Sequence, residues 1–228
     1  MNIYLDIETI PSQREDVLKK IAQDISPPGN YKKAETIEQW EKETKPTLIN
    51  EALRKTALNG TYGEVISIAW AINDEPVIGE IRRVEEPEGG LLEKFMIAMR
   101  DAMSIQSPDR HLPVWIGHYI TGFDLRFIWQ RCVINRVKPI ASFPHREKPW
   151  SDRIYDTKIE WTGLQSYSGD GSLDALCMAM GLAGKGDIDG SKVWDYIAVG
   201  RYKEVLQYNM EDVTKVRKIH KLMTFNYS

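Results

Sequence analysis

The chain has 228 residues, 42% of them hydrophobic, and a net charge of −3 from 30 basic and 33 acidic side chains. That length can bury a full core as one domain spanning 1–228, and the near-balanced charge is not the signature of a tight nucleic-acid binder. No apolar run approaches the roughly 18 residues of a membrane span, and Cys132 and Cys177 lie too far apart in sequence for a Cys-x-x-Cys zinc site.

Ile3-Tyr4-Leu5-Asp6-Ile7-Glu8-Thr9 favours a strand, and it begins too early to leave room for a removable signal peptide. With two cysteines and no disulfide framework expected, a reducing cytoplasm is the expected home. Residues i and i+2 of a strand share a face, so Asp6 and Glu8 converge. Like charges that close call for a neutralising partner, and hard oxygen ligands suit a divalent cation. Residues 11–62 then interrupt the sheet with a polar stretch broken at Pro27-Pro28-Gly29-Asn30. Helices are expected at Arg14–Asp24, Ala34–Glu43 and Pro46–Ala57, with Trp40, Leu48, Ile49, Leu53 and Leu58 as docking residues. Leaving directly after Glu8, this helical insertion is a candidate flap for substrate gating or for docking a partner.

Strands are expected at Val65–Ile72 and Val77–Val84, joined by the turn Asn73-Asp74-Glu75-Pro76. A helix Glu88–Met103 follows Pro87, then a strand Leu112–Ile116. The segment Gly117-His118-Tyr119-Ile120-Thr121-Gly122-Phe123-Asp124 turns into a helix, Leu125–Val137, and Arg153–Glu160 reads as the last strand. The tail is helix-rich, and Tyr208 and Asp212, four apart, stack on one helix face. This alternation indicates an α/β fold, a mixed β-sheet flanked by helices. Gly184-Lys185-Gly186-Asp187 lacks the residues of a phosphate-binding loop, and Asp187-Ile188-Asp189-Gly190 lacks the bidentate Glu of a calcium loop. His111, His118, His145 and His220 have no ligand-like spacing.

The ordered set Asp6-x-Glu8, Phe123-Asp124 and Tyr208-x-x-x-Asp212 resembles the three motifs of the DEDD 3′–5′ exonuclease superfamily in its tyrosine-type branch. The likeness is to the proofreading exonuclease domain of family-B DNA polymerases and their stand-alone relatives. Gln207 stands where the histidine branch would carry its His. Weaker similarity runs through Tyr155-Asp156-Thr157, Ser172-Leu173-Asp174 and Asp189-Gly190. The resemblance implies a ribonuclease H-like fold and a single exonuclease domain holding the 11–62 insertion. One departure is Tyr119, at a position that commonly holds Asn in the second motif; a phenol is bulkier than an amide and offers one hydroxyl.

For such an enzyme the resemblance implies Asp6, Glu8, Asp124 and Asp212 as ligands of two Mg2+ or Mn2+ ions, about 4 Å apart in a two-metal site. Asp6 would bridge, Glu8 and Asp212 would complete the water-activating site, and Asp124 would support the leaving-group side. Tyr208 would orient the attacking water, because a phenol of pKa near 10 is a poor base. Thr9, Ile10, His118, Tyr119, Phe123, Arg126 and Trp129 are the expected substrate contacts. Arg126, Arg131, Arg136, Lys138, Arg146, Lys148, Arg153 and Lys158 interleave with Phe127, Trp129, Phe143, Trp150 and Tyr155, a mixture that suits single strands. The expected partner is a single-stranded DNA 3′ end and not a membrane. An exoribonuclease, with the same metal chemistry, and a catalytically weak nucleic-acid-binding module are the competing readings.

Overall fold

The computed structural model describes residues 1–106, 112–163, 171–184 and 188–226. His111, Lys185, Gly186 and Asp187 lie outside them. The chain divides into two compact units, Met1–Glu8 with Val65–Ser228, and Thr9–Glu64.

The larger unit is built on a five-stranded sheet of order β3-β2-β1-β4-β5. Its strands are β1 (Asn2–Ile10), β2 (Glu64–Ile72), β3 (Ile78–Ile81), β4 (Val114–Gly117) and β5 (Ile154–Asp156). β1 pairs parallel with β4 in the register Ile3↔Trp115, and β4 pairs parallel with β5 through Trp115↔Ile154. β3 runs antiparallel to β2, with Ser67 opposite Ile81. The result is the mixed sheet that the alternation of strands and helices indicates.

The period of two along β1 divides the molecule. Ile3, Leu5 and Ile7 enter the main core with Leu92, Phe95, Met96 and Met99 of α4 (Glu88–Gln106) and with Leu125, Ile128 and Cys132 of α5 (Asp124–Ile134). Edge-to-face rings run through that core from Trp70 to Phe95, Trp115 and Phe143, at 5.4–6.4 Å between centroids. Tyr4 turns to the opposite face, packing with Ala69, Ala71 and Ile116 against Val213 and Val216 of α9 (Tyr202–Met223). Close approach of α9 requires small residues beneath it. A Cβ at Gly79 of β3 would come within 2.7 Å of the Leu206 and Met210 side chains. The even-numbered face of β1, which carries Asp6 and Glu8, is therefore the face that receives α9.

The smaller unit contains α1 (Glu15–Asp24), α2 (Ala34–Glu43) and α3 (Lys45–Lys55), followed by a 3-10 turn, Thr56–Leu58. Ile10, Val17 and Trp40 are its buried apolar residues. The Thr56 hydroxyl accepts the Ser12 amide at 2.9 Å and donates to the Leu53 carbonyl at 2.6 Å, tying the end of α3 to the chain that leaves β1.

Element bounds shift by a few residues throughout, and in two cases the structure shows why. The strand expected over Arg153–Glu160 ends at Asp156, and α6 (Thr157–Thr162) begins there. The Asp156 carboxylate accepts the Lys158 and Ile159 amides, a helix cap that ends the strand. The strand expected over Val77–Val84 shortens to Ile78–Ile81. Arg82 is 4% exposed and donates to the carbonyls of Val65, Arg83, Val84 and Glu86, which turns the chain away from the sheet.

Candidate active site

β1, the start of α5 and α9 supply the acids. Oxygen atoms of Asp6, Glu8 and Asp212 lie within 4.8 Å of one another. Asp6 and Glu8 come from alternate positions of one strand, and Asp212 from the helix that covers that face. Asp124 opens α5, is 3% exposed, and accepts the Ile7 amide at 3.1 Å. Burial, then the neighbouring acids, pushes Asp6 and Glu8 well above the usual carboxylate range. Burial raises Asp124 to about 7. Asp212 is raised by burial but opposed by Lys215, whose Nζ donates to its Oδ1 at 2.7 Å. A buried concentration of like charge of this kind favours either protons or a cation. Carboxylate oxygens alone form a donor set suited to Mg2+ or Mn2+ and poorly suited to zinc.

Tyr208 sits one helical turn before Asp212 and is 8% exposed. Burial raises its pKa, and Glu8, Asp212 and Asp6 raise it further, so the phenol keeps its proton at neutral pH. Lys215 lies 5.9 Å from the centre of its ring.

The loop between β4 and α5 is fixed by Asp156. That fully buried carboxylate accepts the Tyr119 amide at 2.8 Å and the Thr121 hydroxyl at 2.9 Å. It holds Tyr119 in the left-handed region, at φ 63°, with 43% of the residue exposed. The Tyr119 ring rests on Gly122, where a Cβ would collide with it, and Lys158 Nζ lies 4.6 Å from its centre. His118 Nδ1 is 3.1 Å from the Thr157 hydroxyl, and burial pushes the imidazole down to about 4.

The remaining expected contacts fall in several places. Phe123 packs on Phe127 at 5.3 Å, and Arg126 is exposed. Trp129 stacks on His145 at 4.7 Å with rings 3° from parallel, so that face is already taken. Thr9 donates its hydroxyl to the Ala57 carbonyl at 2.8 Å, and Ile10 is fully buried. The Ile10 side chain is thus core, which leaves only its backbone for a substrate contact. The basic and aromatic lane between residues 126 and 158 also breaks up. Arg131 is a buried partner of Glu88, and Arg153 pairs with Glu147 at 2.9 Å. Phe127 and Phe143 are core, and Tyr155 packs on His220. Arg126, Arg136, Lys138, Arg146, Lys148 and Trp150 stay exposed. Asn209, Ser67 and Lys215, all buried beside the acids, escaped the sequence reading; the position of Asn209 next to Tyr208 was the one available signal.

A family model described as "Predicted 3′-5′ exonuclease related to the exonuclease domain of PolB" matches residues 56–219. That span contains Asp124, Tyr208 and Asp212 and begins after Asp6 and Glu8. Among solved structures, the family B DNA polymerase from the hyperthermophilic archaeon Pyrobaculum calidifontis is similar, with a TM-score of 0.57 at 12% identity. The alignment covers 98% of this chain and 24% of the polymerase chain, so the likeness is one of fold, the ribonuclease H-like fold of such an exonuclease domain. No curated protein matches. Among the described residues, no helix is long and apolar enough to cross a membrane.

Proposed function

This chain belongs to the family of predicted 3′–5′ exonucleases related to the exonuclease domain of PolB, and from that premise we propose that it is a metal-dependent exonuclease shortening single-stranded DNA from the 3′ end. The observation that carries this is the meeting of Asp6, Glu8 and Asp212 oxygens within 4.8 Å in a largely buried site. Asp6, Glu8 and Asp212 would hold one cation, and Asp6 with Asp124 a second. Bound there, Mg2+ or Mn2+ supplies Lewis acidity toward the phosphodiester and eases deprotonation of the attacking water. Tyr208, kept protonated, orients that water by hydrogen bonding. Lys215 offsets part of the charge on Asp212 and holds the carboxylate in place. Tyr119, 43% exposed, and Phe123, five and one residues before Asp124, are the groups best suited to meet the terminal bases, where stacking contributes about 1–3 kcal/mol per base. Residues 1–228 act as one exonuclease domain, with 11–62 inserted into it. The unbridged, buried thiols of Cys132 and Cys177 suit a reducing cytoplasm.

The test is digestion of 3′- and 5′-labelled single-stranded DNA and RNA with Mg2+, Mn2+ or EDTA, beside Asp6→Ala. Metal-dependent shortening from the 3′ end of DNA, absent in the variant, is the expected result. Faster loss of the RNA would make it an exoribonuclease. Intact substrate throughout, with binding retained, would leave a nucleic-acid-binding module.

A further inference from the structure

Asp6 and Asp212 are held by chemically different neighbours. Asp212 has an ammonium, Lys215, whereas Asp6 has an amide. Asn209 is fully buried on α9, and its Nδ2 donates to Asp6 Oδ2 at 2.6 Å. Its Oδ1 accepts the Ser67 hydroxyl at 2.8 Å, and that hydroxyl also lies 3.0 Å from the Glu80 carbonyl. Ser67 is itself fully buried on β2, and the next residues on its face are Ala69 and Ala71. An amide and a hydroxyl in such apolar company cost desolvation unless their hydrogen bonds are used, and apolar side chains would pack there without that cost. Both are used, with the single Ser67 proton facing two acceptors, Asn209 Oδ1 and the Glu80 carbonyl. Ser67 engages the oxygen end of the amide, which leaves the nitrogen end facing Asp6.

We propose that Asn209 is a positioning residue for Asp6 and that Ser67 sets the orientation of Asn209. The amide satisfies Oδ2 and pins the carboxylate rotamer, leaving Oδ1 to face the cation. A neutral donor does this without placing a second positive charge where the cation must sit. The inference rests on reading Asp6 as a cation ligand.

The test is Mn2+ binding by isothermal titration calorimetry, with kcat and KM on a labelled oligonucleotide, for Asn209→Ala, Ser67→Ala and Asp6→Ala. In folded Asn209→Ala, Mn2+ affinity should fall by about 10–100-fold, the range for lost partners of metal-ligating groups. kcat should fall with it while KM for the oligonucleotide holds. Ser67→Ala should move both in the same direction by a smaller factor. Wild-type Mn2+ affinity in folded Asn209→Ala overturns the proposal. If Asn209→Ala does not fold, wild-type affinity in Ser67→Ala does so instead. Unchanged Mn2+ binding and cleavage in Asp6→Ala would bring down the functional reading itself, whereas loss there beside an unchanged Asn209→Ala removes only the role of Asn209.

Discussion

Two of the buried carboxylate centres in the larger unit are treated in opposite ways. Glu88, 5% exposed at the head of α4, accepts the Arg131 guanidinium through both oxygens, with its shortest contact at 2.7 Å. The Asn135 amide at 2.6 Å and the Val65 backbone N–H at 2.7 Å complete its shell. One negative charge meets one positive charge and two neutral donors, and the centre is closed. At the other centre, Asp6, Glu8, Asp124 and Asp212 share the Lys215 ammonium, the Asn209 amide, the Tyr208 hydroxyl and the Ile7 backbone N–H. A chain able to neutralise a buried acid as thoroughly as it does Glu88 leaves this cluster with four carboxyl groups and one cationic side chain. The closed centre is a structural ion pair, while the open one is the cluster proposed above to hold a cation.

That contrast can be broken most directly at Asp6. Asp6→Ala should abolish cleavage while leaving the fold intact, since losing several kcal/mol of cation-derived stabilisation corresponds to about 10³-fold or more in rate. Near-wild-type turnover would refute the open centre. Glu88→Ala should instead destabilise the fold by about 3–5 kcal/mol, because it leaves Arg131 buried without its partner. Denaturant melts read this, and a loss below 1 kcal/mol would mean that the closed centre is not structural. Tyr208→Phe should slow turnover by about 10²-fold with KM unchanged, and an unaltered kcat would remove its hydroxyl from the reaction.

Smaller effects sharpen the comparison through stability. In EDTA, Asp6→Asn should raise the melting temperature by relieving repulsion, whereas Glu88→Gln should lower it. The same sign in both variants would erase the distinction between the centres. The pH dependence divides too. Asp124, raised by burial from 3.8 to about 7, keeps a proton that the unfolded chain has released, so its contribution to metal-free stability fades as pH rises across that window. Asp124→Asn should flatten that limb. His118, lowered by burial from 6.5 to about 4, leaves the unfolded chain with the extra proton, so stability is lost as pH falls through that window. His118→Asn should remove this share of the acid-side loss in thermal melts from pH 7 to 4.

Much of the architecture was legible because it depends on local period. Alternation along Ile3–Thr9 places Asp6 and Glu8 on one face, and a spacing of four places Tyr208 over Asp212. Helix α2 runs over Ala34–Glu43, the limits that its polar and apolar pattern indicates. The misreadings arise where one specific partner overrides local preference. Ile159 and Lys158 read as strand until Asp156 accepts their amides and turns them into a helix. Arg131 and Arg153 read as part of a basic surface until Glu88 and Glu147 claim them.

The sequence by itself determined the strand-and-helix order, the sharing of one strand face by Asp6 and Glu8, and the pairing of Tyr208 with Asp212, since each follows from spacing within a single element. Only the tertiary structure decided that α9 lies over that strand face, where Gly79 leaves room for Leu206 and Met210. That approach sets Asn209 between Ser67 and Asp6, and the fold buries the Lys215–Asp212 pair beside them. A hydrogen bond such as that from Asn209 to Asp6, 203 positions apart, depends on how closely a helix and a sheet approach, and no local pattern encodes that distance.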